Sequence, residues 1–168
     1  MDKIAIFYGS STGNTKTAAN AIAKQLNGYD VYIGDIANAE PSHVSGFNLL
    51  IFGVSTWGYG DIQDDWEIFL PNLEKMDLTG KTIALFGLGD AEAYPDTFVD
   101  AMGDLYETVV KNGARVVGQV PVDGYNFSES RAVIDGRFAG LPLDEDNESD
   151  MSSTRIENWV SDLKSCFN

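Results

Sequence analysis

Apolar residues along the chain occur in two patterns, short runs and wider helical spacings, which follow one another. The run at residues 4–8 has no polar alternation and is typical of a strand buried on both faces of a parallel sheet. Further strands are predicted at 31–36, 49–54, 81–88 and 114–122. Helical spacing predicts these apolar helix faces: Ala18, Ile22 and Leu26; Trp66, Phe69, Leu70 and Leu73; Phe98, Met102, Leu105, Tyr106 and Val109; Ile156, Trp159, Val160, Leu163 and Phe167.

This order of elements predicts one α/β domain over residues 1–168, with a doubly wound five-stranded parallel sheet and helices on both faces. A chain of this length can bury one sizeable core without disulfide or metal staples. The segment from 123 to about 149 is longer than a usual connection and is rich in glycine and charge. We interpret it as an insertion that packs back on the last strand, and a binding role for it stays open.

The charge balance limits the class of partner. Eleven basic and 26 acidic side chains give a net charge of −15, which repels nucleic acid and anionic membranes. Partners should carry basic patches, although an acidic surface can also serve solubility alone. The apolar runs are too short for a membrane span and the N-terminus leads directly into a strand, so a cytoplasmic protein is predicted. Cys166 is the single cysteine, which excludes an internal disulfide and fits a reducing compartment.

Three loops follow predicted strands at the edge where open α/β sheets bind ligands. They are residues 10–15 (Ser-Ser-Thr-Gly-Asn-Thr), 55–61 (Ser-Thr-Trp-Gly-Tyr-Gly-Asp) and 89–95 (Gly-Asp-Ala-Glu-Ala-Tyr-Pro). The first loop offers hydroxyl groups beside the free N–H groups that begin a helix, a combination suited to a phosphate. Taken alone, such a loop more often caps a helix than binds phosphate, so the other two loops decide the interpretation.

Large aromatic residues stand in the second and third loops, outside any periodic apolar face. Trp57 and Tyr94 could stack on the two faces of a flat isoalloxazine ring, whereas Trp66 and Trp159 lie on helical faces and are predicted core residues. Together with the phosphate-type loop, the two loop aromatics favour a flavin site. His43 stands alone and no His or Cys cluster has metal-ligand spacing, so neither a catalytic residue nor a metal site is predicted.

These motifs, and the chain around them, resemble the flavodoxin family. Residues 10–15 resemble its T/S-x-T-G-x-T phosphate loop, and residues 124–127 with 140–147 resemble the insertion of its long-chain class. The resemblance implies a strand order of 2-1-3-4-5, with FMN as the cofactor and Asp90 near its pyrimidine edge. The FMN-binding residues that it implies are Ser10, Ser11, Thr12, Gly13, Asn14, Thr15, Ser55, Thr56, Trp57, Gly58, Tyr59, Gly60, Gly89, Asp90, Tyr94 and Asp96.

Two positions depart from the family pattern. Ser10 stands where many members have threonine, and Gly58-Tyr59 replaces the Asn-containing pair of some relatives. The resemblance implies that the backbone carbonyl of Gly58 turns toward the flavin when the flavin is reduced. A glycine should ease that rotation because it tolerates positive φ.

The function implied by the resemblance is that of a low-potential, monomeric carrier of single electrons with no substrate of its own. Its partners would be redox enzymes with basic surfaces, such as a ferredoxin/flavodoxin-NADP reductase. An FMN-dependent reductase of a small substrate is one alternative. A response-regulator-like signalling domain is another, but its strand ends should carry clustered acidic residues instead of Ser, Thr and aromatic residues.

Overall fold

A computed structural model describes residues 2–167, which form a central parallel sheet with helices on both faces. In chain order the strands are β1 (Lys3–Tyr8), β2 (Asp30–Asp35), β3 (Leu49–Trp57), β4 (Asp61–Ile62), β5 (Thr82–Leu88), β6 (Arg115–Val117), β7 (Val120–Pro121), β8 (Val133–Ile134), β9 (Arg137–Phe138) and β10 (Leu141–Leu143). The α-helices are α1 (Asn14–Gln25), α2 (Pro41–Ser45), α3 (Asp64–Glu74), α4 (Asp100–Lys111) and α5 (Ser152–Phe167). Single 3-10 turns cover Ile36–Asn38 and Ser149–Met151.

Parallel pairing sets the strand order of the central sheet. β1 pairs with β2 on one side and with β3 on the other, and β5 lies beyond β3. With an outer strand made of β6 and β10, this order confirms the predicted 2-1-3-4-5. The order reverses at β1, because the chain runs outward to β2 and then returns to β3. The crevice at the carboxyl ends of β1 and β3 is where such sheets bind ligands.

The outer strand differs from its prediction. The sequence pattern predicted one strand at 114–122, but only β6 pairs there with β5, at Thr82–Ala84. The outer strand resumes at β10, which pairs with Phe86–Leu88. Gly118 takes a φ of +85°, a conformation that turns the chain away from the sheet edge. β10 escaped prediction because residues 141–143 were included in the predicted insertion. Its Pro142 is compatible with a strand because β10 lies at the sheet edge.

Residues 118–140 therefore lie between the two halves of the outer strand. They carry β7, β8 and β9, which form a small antiparallel sheet in the order β7-β9-β8. The insertion was expected at 123–149 and packed on the last strand. β9 does pair with Val120–Pro121 of that predicted strand, and the Phe127 and Phe138 rings also lie 5.8 and 6.0 Å from the Phe98 ring, next to α4. The range of the insertion is therefore 118–140, because residues 141–143 belong to the central sheet.

Alternate residues of the buried strands face two separate hydrophobic cores. Phe7 and Phe52 pack on one face with Trp66 of α3, while Ile6 and Ile51 pack on the other with Trp159 of α5. The helix stripes predicted from the sequence also contribute to both cores, with Leu70, Tyr106 and Phe167 only partly buried. Within residues 2–167, no helix is long and apolar enough to cross a membrane.

We expect Trp66→Ala to destabilise the protein by about 3–5 kcal/mol, because it empties a large core site. The Trp66 side chain is fully buried against Phe52 and Phe69, and its indole N–H donates to the Gly53 carbonyl at 2.7 Å. Urea unfolding of the apoprotein measures the change. The matched control is Ile68→Ala on the same helix, where the side chain is 75% exposed and the expected change is within about 0.5 kcal/mol. Equal losses in both variants would contradict the core assignment.

Candidate functional site: a cleft at the carboxyl ends of the strands

A cleft of about 270 Å³ lies at the carboxyl edge of the central sheet. All three predicted loops contribute to it, together with a fourth segment after β10. The residues that line it are Thr12, Asn14, Thr15, Ser55, Thr56, Trp57, Gly58, Leu88, Gly89, Asp90, Tyr94, Glu145 and Asp146. The pairing of β1, β3 and β5 brings these loops together, because parallel strands end at the same edge of a sheet.

The first loop presents neutral donors at one end of the cleft. Gly13 precedes α1 with a φ of +93°, and its own N–H donates to the Ser10 hydroxyl at 3.0 Å. Among the described residues, no side chain caps α1, so the N–H groups of its first turn stay available to a ligand. Thr12, Asn14 and Thr15 line the cleft beside them. Hydroxyl, amide and helix N-terminal N–H groups suit a phosphate without a basic side chain.

The second loop is the turn of a hairpin. Pairing of Trp57 with Asp61 leaves Gly58, Tyr59 and Gly60 as the turn between β3 and β4. The Trp57 side chain is 42% exposed, and its indole N–H donates to the Ser55 hydroxyl at 3.0 Å, which orients the ring at the cleft. Gly58 has a φ of +51°, and the atom nearest to a methyl group added there would be an Asp61 carboxylate oxygen at 3.7 Å. The side-chain position of Gly58 is therefore uncrowded.

The third loop supplies the second aromatic side chain. The Tyr94 side chain is 36% exposed, and its ring meets that of Tyr59 edge to face at 5.6 Å. Asp90 lies in the same loop, where its carboxylate accepts the N–H groups of Ala93 and Glu92 at 2.9 and 3.2 Å. Although burial opposes ionisation, the hydrogen bonds from Ala93, Asn147 and Glu92 lower the pKa of Asp90 below its ordinary value.

The fourth segment was missed by the sequence analysis. Asp144 is fully buried and accepts hydrogen bonds from the Ala91 N–H at 3.1 Å and from the Asn147 amide at 2.9 Å. The same amide nitrogen donates to Asp90 at 2.8 Å, so Asn147 ties the third loop to the end of β10. The sequence did contain a signal for this segment, because the apolar triplet 141–143 followed by polar residues is the pattern of a strand end. The prediction of a long insertion through residue 149 concealed it.

Carboxylates gather at this end of the cleft. Oxygen atoms of Asp90, Asp144 and Asp146 lie within 4.8 Å of one another. Burial and the negative charges of Asp90, Asp144 and Glu145 raise the pKa of Asp146. Hydrogen bonds from Asn147 already engage Asp90 and Asp144, so the cluster is a hydrogen-bonded anchor with excess negative charge. The cleft thus has a polar donor end and an acidic end.

Ten of the predicted residues line the cleft and six do not. The six are Ser10, Ser11, Gly13, Tyr59, Gly60 and Asp96. Ser10 and Ser11 bond within the protein, since Ser11 accepts from the buried Gln63 side chain at 3.3 Å. Asp96 instead borders a second cavity beside Phe127 and Ser128 of the insertion. His43 is an exposed residue of α2 whose ring lies 4.7 Å from that of Tyr32.

Fold and site together define an open, doubly wound α/β protein with a ligand cleft at its switch point. A profile of the flavodoxin family matches residues 6–159. The chain is 44% identical over 168 residues to the flavodoxin of Synechococcus elongatus, covering 99% of both chains. It is 42% identical over 164 residues to that of Haemophilus influenzae, covering 97% of this chain and 94% of the relative. The chain belongs to the flavodoxin family.

A solved structure extends the comparison to three dimensions. The crystal structure of Fusobacterium nucleatum flavodoxin bound to flavin mononucleotide superposes with a TM-score of 0.95 at 33% identity, and the match covers 100% of both chains. A mutant of that protein, also bound to flavin mononucleotide, matches with the same TM-score at 34% identity. The agreement over the whole chain confirms the predicted fold class.

We expect Asn147→Ala to raise the pKa of Asp90, because it removes a hydrogen bond to the ionised carboxylate. A lowered pKa in the folded state contributes stability that is present above the unfolded pKa, about 3.9, and is lost as pH falls through the folded pKa. The variant should therefore lose about 1–3 kcal/mol near neutral pH and a smaller amount in acid.

Carboxyl NMR titration and urea unfolding at several pH values measure the two effects. Asn158→Ala is the matched control, because Asn158 is exposed on α5 away from this cluster. An unchanged Asp90 titration in the Asn147 variant would contradict the assignment.

Proposed function

We propose that this protein holds one FMN in the cleft and carries single electrons between redox enzymes. The observation that supports the proposal is that one cleft contains both hydrogen-bond donors suited to a phosphate and aromatic rings suited to stacking. Neutral phosphate donors from the first loop occupy one end, and the half-exposed rings of Trp57 and Tyr94 occupy the other. A flat ring with a terminal phosphate matches both.

The donor set supports FMN over a dinucleotide. Thr12, Asn14 and Thr15 surround the start of α1, which favours a doubly charged terminal phosphate. Trp57 and Tyr94 offer stacking surfaces, and Asp90 offers an acceptor at the pyrimidine edge of the ring. We assign the other predicted loop residues to shaping these surfaces: Ser10, Ser11, Gly13, Ser55, Thr56, Tyr59, Gly60 and Gly89. Asp96 borders the second cavity and is not assigned to them.

Bound FMN would supply the one-electron chemistry, and the protein controls its environment. Gly58 lines the cleft with a positive φ, and glycine tolerates both signs of φ, so its peptide carbonyl could rotate to accept a hydrogen bond from the cofactor. Asp90 and Asp146 line the cleft as well, and their negative charge opposes the addition of further negative charge there. The potential for adding negative charge to a bound flavin ring would therefore be low.

The lining of the cleft argues for a carrier and against an enzyme with its own substrate. Among the described residues that line it, none is His, Cys or Lys. We infer a single domain that works as a cytoplasmic monomer, with residues 118–140 as its insertion. A reductase of a small substrate would instead oxidise NAD(P)H steadily without a second protein, which is a direct assay for that alternative.

We expect the purified protein to bind FMN in a one-to-one ratio, and Trp57→Ala and Tyr94→Ala each to weaken binding by about 1–3 kcal/mol, if stacking on nucleobases is a fair guide. Titration of the apoprotein with FMN, followed by flavin fluorescence, measures the affinity. Tyr32→Ala is the matched control, because Tyr32 is also 42% exposed but lies in the cluster around His43. Failure to take up FMN would refute the proposed function.

A separate variant tests whether the first loop binds the phosphate of FMN. Thr12→Val removes a hydroxyl group from the first loop while keeping the side-chain shape. It should weaken FMN more than riboflavin, since riboflavin has no phosphate. Equal losses for the two ligands would show that Thr12 does not contact the phosphate.

We propose that the partners carry basic surfaces and that charge near the cleft steers their approach. The net charge of −15 repels acidic proteins in general, but steering requires acidic residues beside the exposed ring site. Asp64 begins α3 after the Trp57 hairpin and Glu92 lies in the third loop, and both side chains are exposed. A ferredoxin/flavodoxin-NADP reductase with a basic docking surface is the natural test partner.

Asp64→Asn combined with Glu92→Gln should slow association with such a reductase several-fold at low salt, because the electrostatic attraction is reduced. Stopped-flow reduction across a salt series measures the rate. Glu157→Gln with Asp162→Asn on α5 is the control with the same charge change, since both are exposed on that helix. Equal rates in the two double variants would mean that net charge alone matters.

A further inference from the structure

The insertion is seated on the helix that follows the third loop. The ring of Phe138 is fully buried and lies 5.1 Å from Phe127 and 6.0 Å from Phe98. Closer to the helix, a methyl group on Gly103 would lie 2.5 Å from the Arg131 carbonyl oxygen, so the backbone at 131 rests directly on α4. The position of Arg131 is therefore set by a packed backbone contact.

Arg131 joins α4 to the Trp57 hairpin. Its backbone N–H donates to Asp100 at 2.7 Å, and its guanidinium contacts Asp100 at 3.2 Å and Asp104 at 3.0 Å. The same guanidinium donates from Nη2 to the Gly60 carbonyl at 3.2 Å. Asp100 is only 2% exposed; burial raises its pKa, and the N–H and charge of Arg131 oppose that effect. Arg131 is thus held on the helix side by two carboxylates.

Gly60 is the last residue of the hairpin turn, and its surroundings are tight. It has a φ of +97°, and a methyl group there would lie 2.9 Å from an Asp100 oxygen and 3.3 Å from Arg131 Nη1. On the other strand of the hairpin, the Thr56 hydroxyl accepts the Ala101 N–H at 2.9 Å. The hairpin is consequently tied to the start of α4 at both of its ends, and Arg131 makes one of the two ties.

We propose that Arg131 is a positioning residue for flavin binding, through which the insertion holds the Trp57 hairpin in its ligand-ready shape. Arg131 does not line the cleft, so it acts on the ring site through Gly60. The residues between the two ties are Trp57, Gly58 and Tyr59, and the Trp57 indole is itself held by the Ser55 hydroxyl. A loop that is ordered before the ligand arrives binds with a smaller loss of conformational entropy. This inference rests on the proposed FMN site and assigns a role to the insertion.

The alternative is a purely structural role, in which Arg131 only stabilises the insertion. Its side chain is 55% exposed, and a half-exposed ion pair with Asp104 contributes little by itself. The two roles differ in what they predict. A stabilising role lowers the melting temperature and leaves ligand affinity unchanged in the folded protein, whereas a positioning role lowers affinity for the flavin ring.

The experiment measures FMN and riboflavin affinity of apoprotein carrying Arg131→Gln, at a temperature where circular dichroism shows it folded. We expect both ligands to weaken by the same factor, about tenfold, which is in the range of one charge-assisted hydrogen bond. Backbone amides of the 57–61 hairpin should exchange with deuterium faster than in the parent protein. Thr12→Val is the contrasting variant, because it should weaken the binding of FMN more than that of riboflavin.

Two further variants complete the test. Arg137→Gln removes the same charge from the insertion, but Arg137 donates to the Gln119 carbonyl within the insertion, so affinity should not change. Arg131→Lys keeps the charge but cannot reach the carboxylates and Gly60 together, so we expect an intermediate loss of flavin affinity. If the glutamine variant does not fold, the lysine variant distinguishes the positioning role from the stabilising role. Parental affinity for both flavins in the folded Arg131 variants would overturn the proposal. A parent protein that binds neither flavin would refute the proposed function itself.

Discussion

The reversal of strand order at β1 is the constraint on which the site depends. β1 and β3 are neighbours, yet α1 packs on one face of the sheet and α3 on the other. Their loops must therefore separate, and the gap between them becomes the cleft. The Gly53 carbonyl holds the two strand ends together, because it accepts both the Gly9 N–H at 3.1 Å and the Trp66 indole N–H at 2.7 Å. A core side chain thus stabilises the geometry of the binding loops.

The same cleft has an uneven charge distribution, which suits a carrier of low-potential electrons. Its first-loop end carries neutral donors and the N-terminus of α1, with no basic side chain among the described residues that line it. Its other end holds the Asp90, Asp144 and Asp146 carboxylates. Bound FMN would supply the one-electron chemistry, and these carboxylates would oppose the addition of negative charge at this end of the cleft.

The insertion enters this picture as a part of the scaffold around the site. It interrupts the outer strand, returns to complete it as β10, and on the way rests on α4. Two consequences reach the cleft. The end of β10 places Asp144 and Asn147 under the third loop, while Arg131 contacts the carbonyl of Gly60 in the second. Both are contacts between segments far apart in the chain.

The local pattern of hydrophobic and polar residues determined the central strands, the helix faces and the two loop aromatics. Continuous apolar runs identified the buried central strands and helical spacing identified the helix faces, because burial on both sides of a sheet leaves a direct trace in the order of residues. The loop aromatics Trp57 and Tyr94 were recognisable for the converse reason, since they fall outside any periodic face. Ten of the sixteen site residues that the family resemblance implied line the cleft.

The tertiary structure decided what depends on contacts between distant segments. The strand predicted at 114–122 instead ends at Val117, and the outer strand resumes at Leu141. Edge pairing and the positive φ of Gly118 decide that, and neither has a periodic signature. The hydrogen bonds of Asn147 and Arg131 likewise depend on where the insertion returns. A residue's type states which bonds it can make, but only the fold brings its partner within reach.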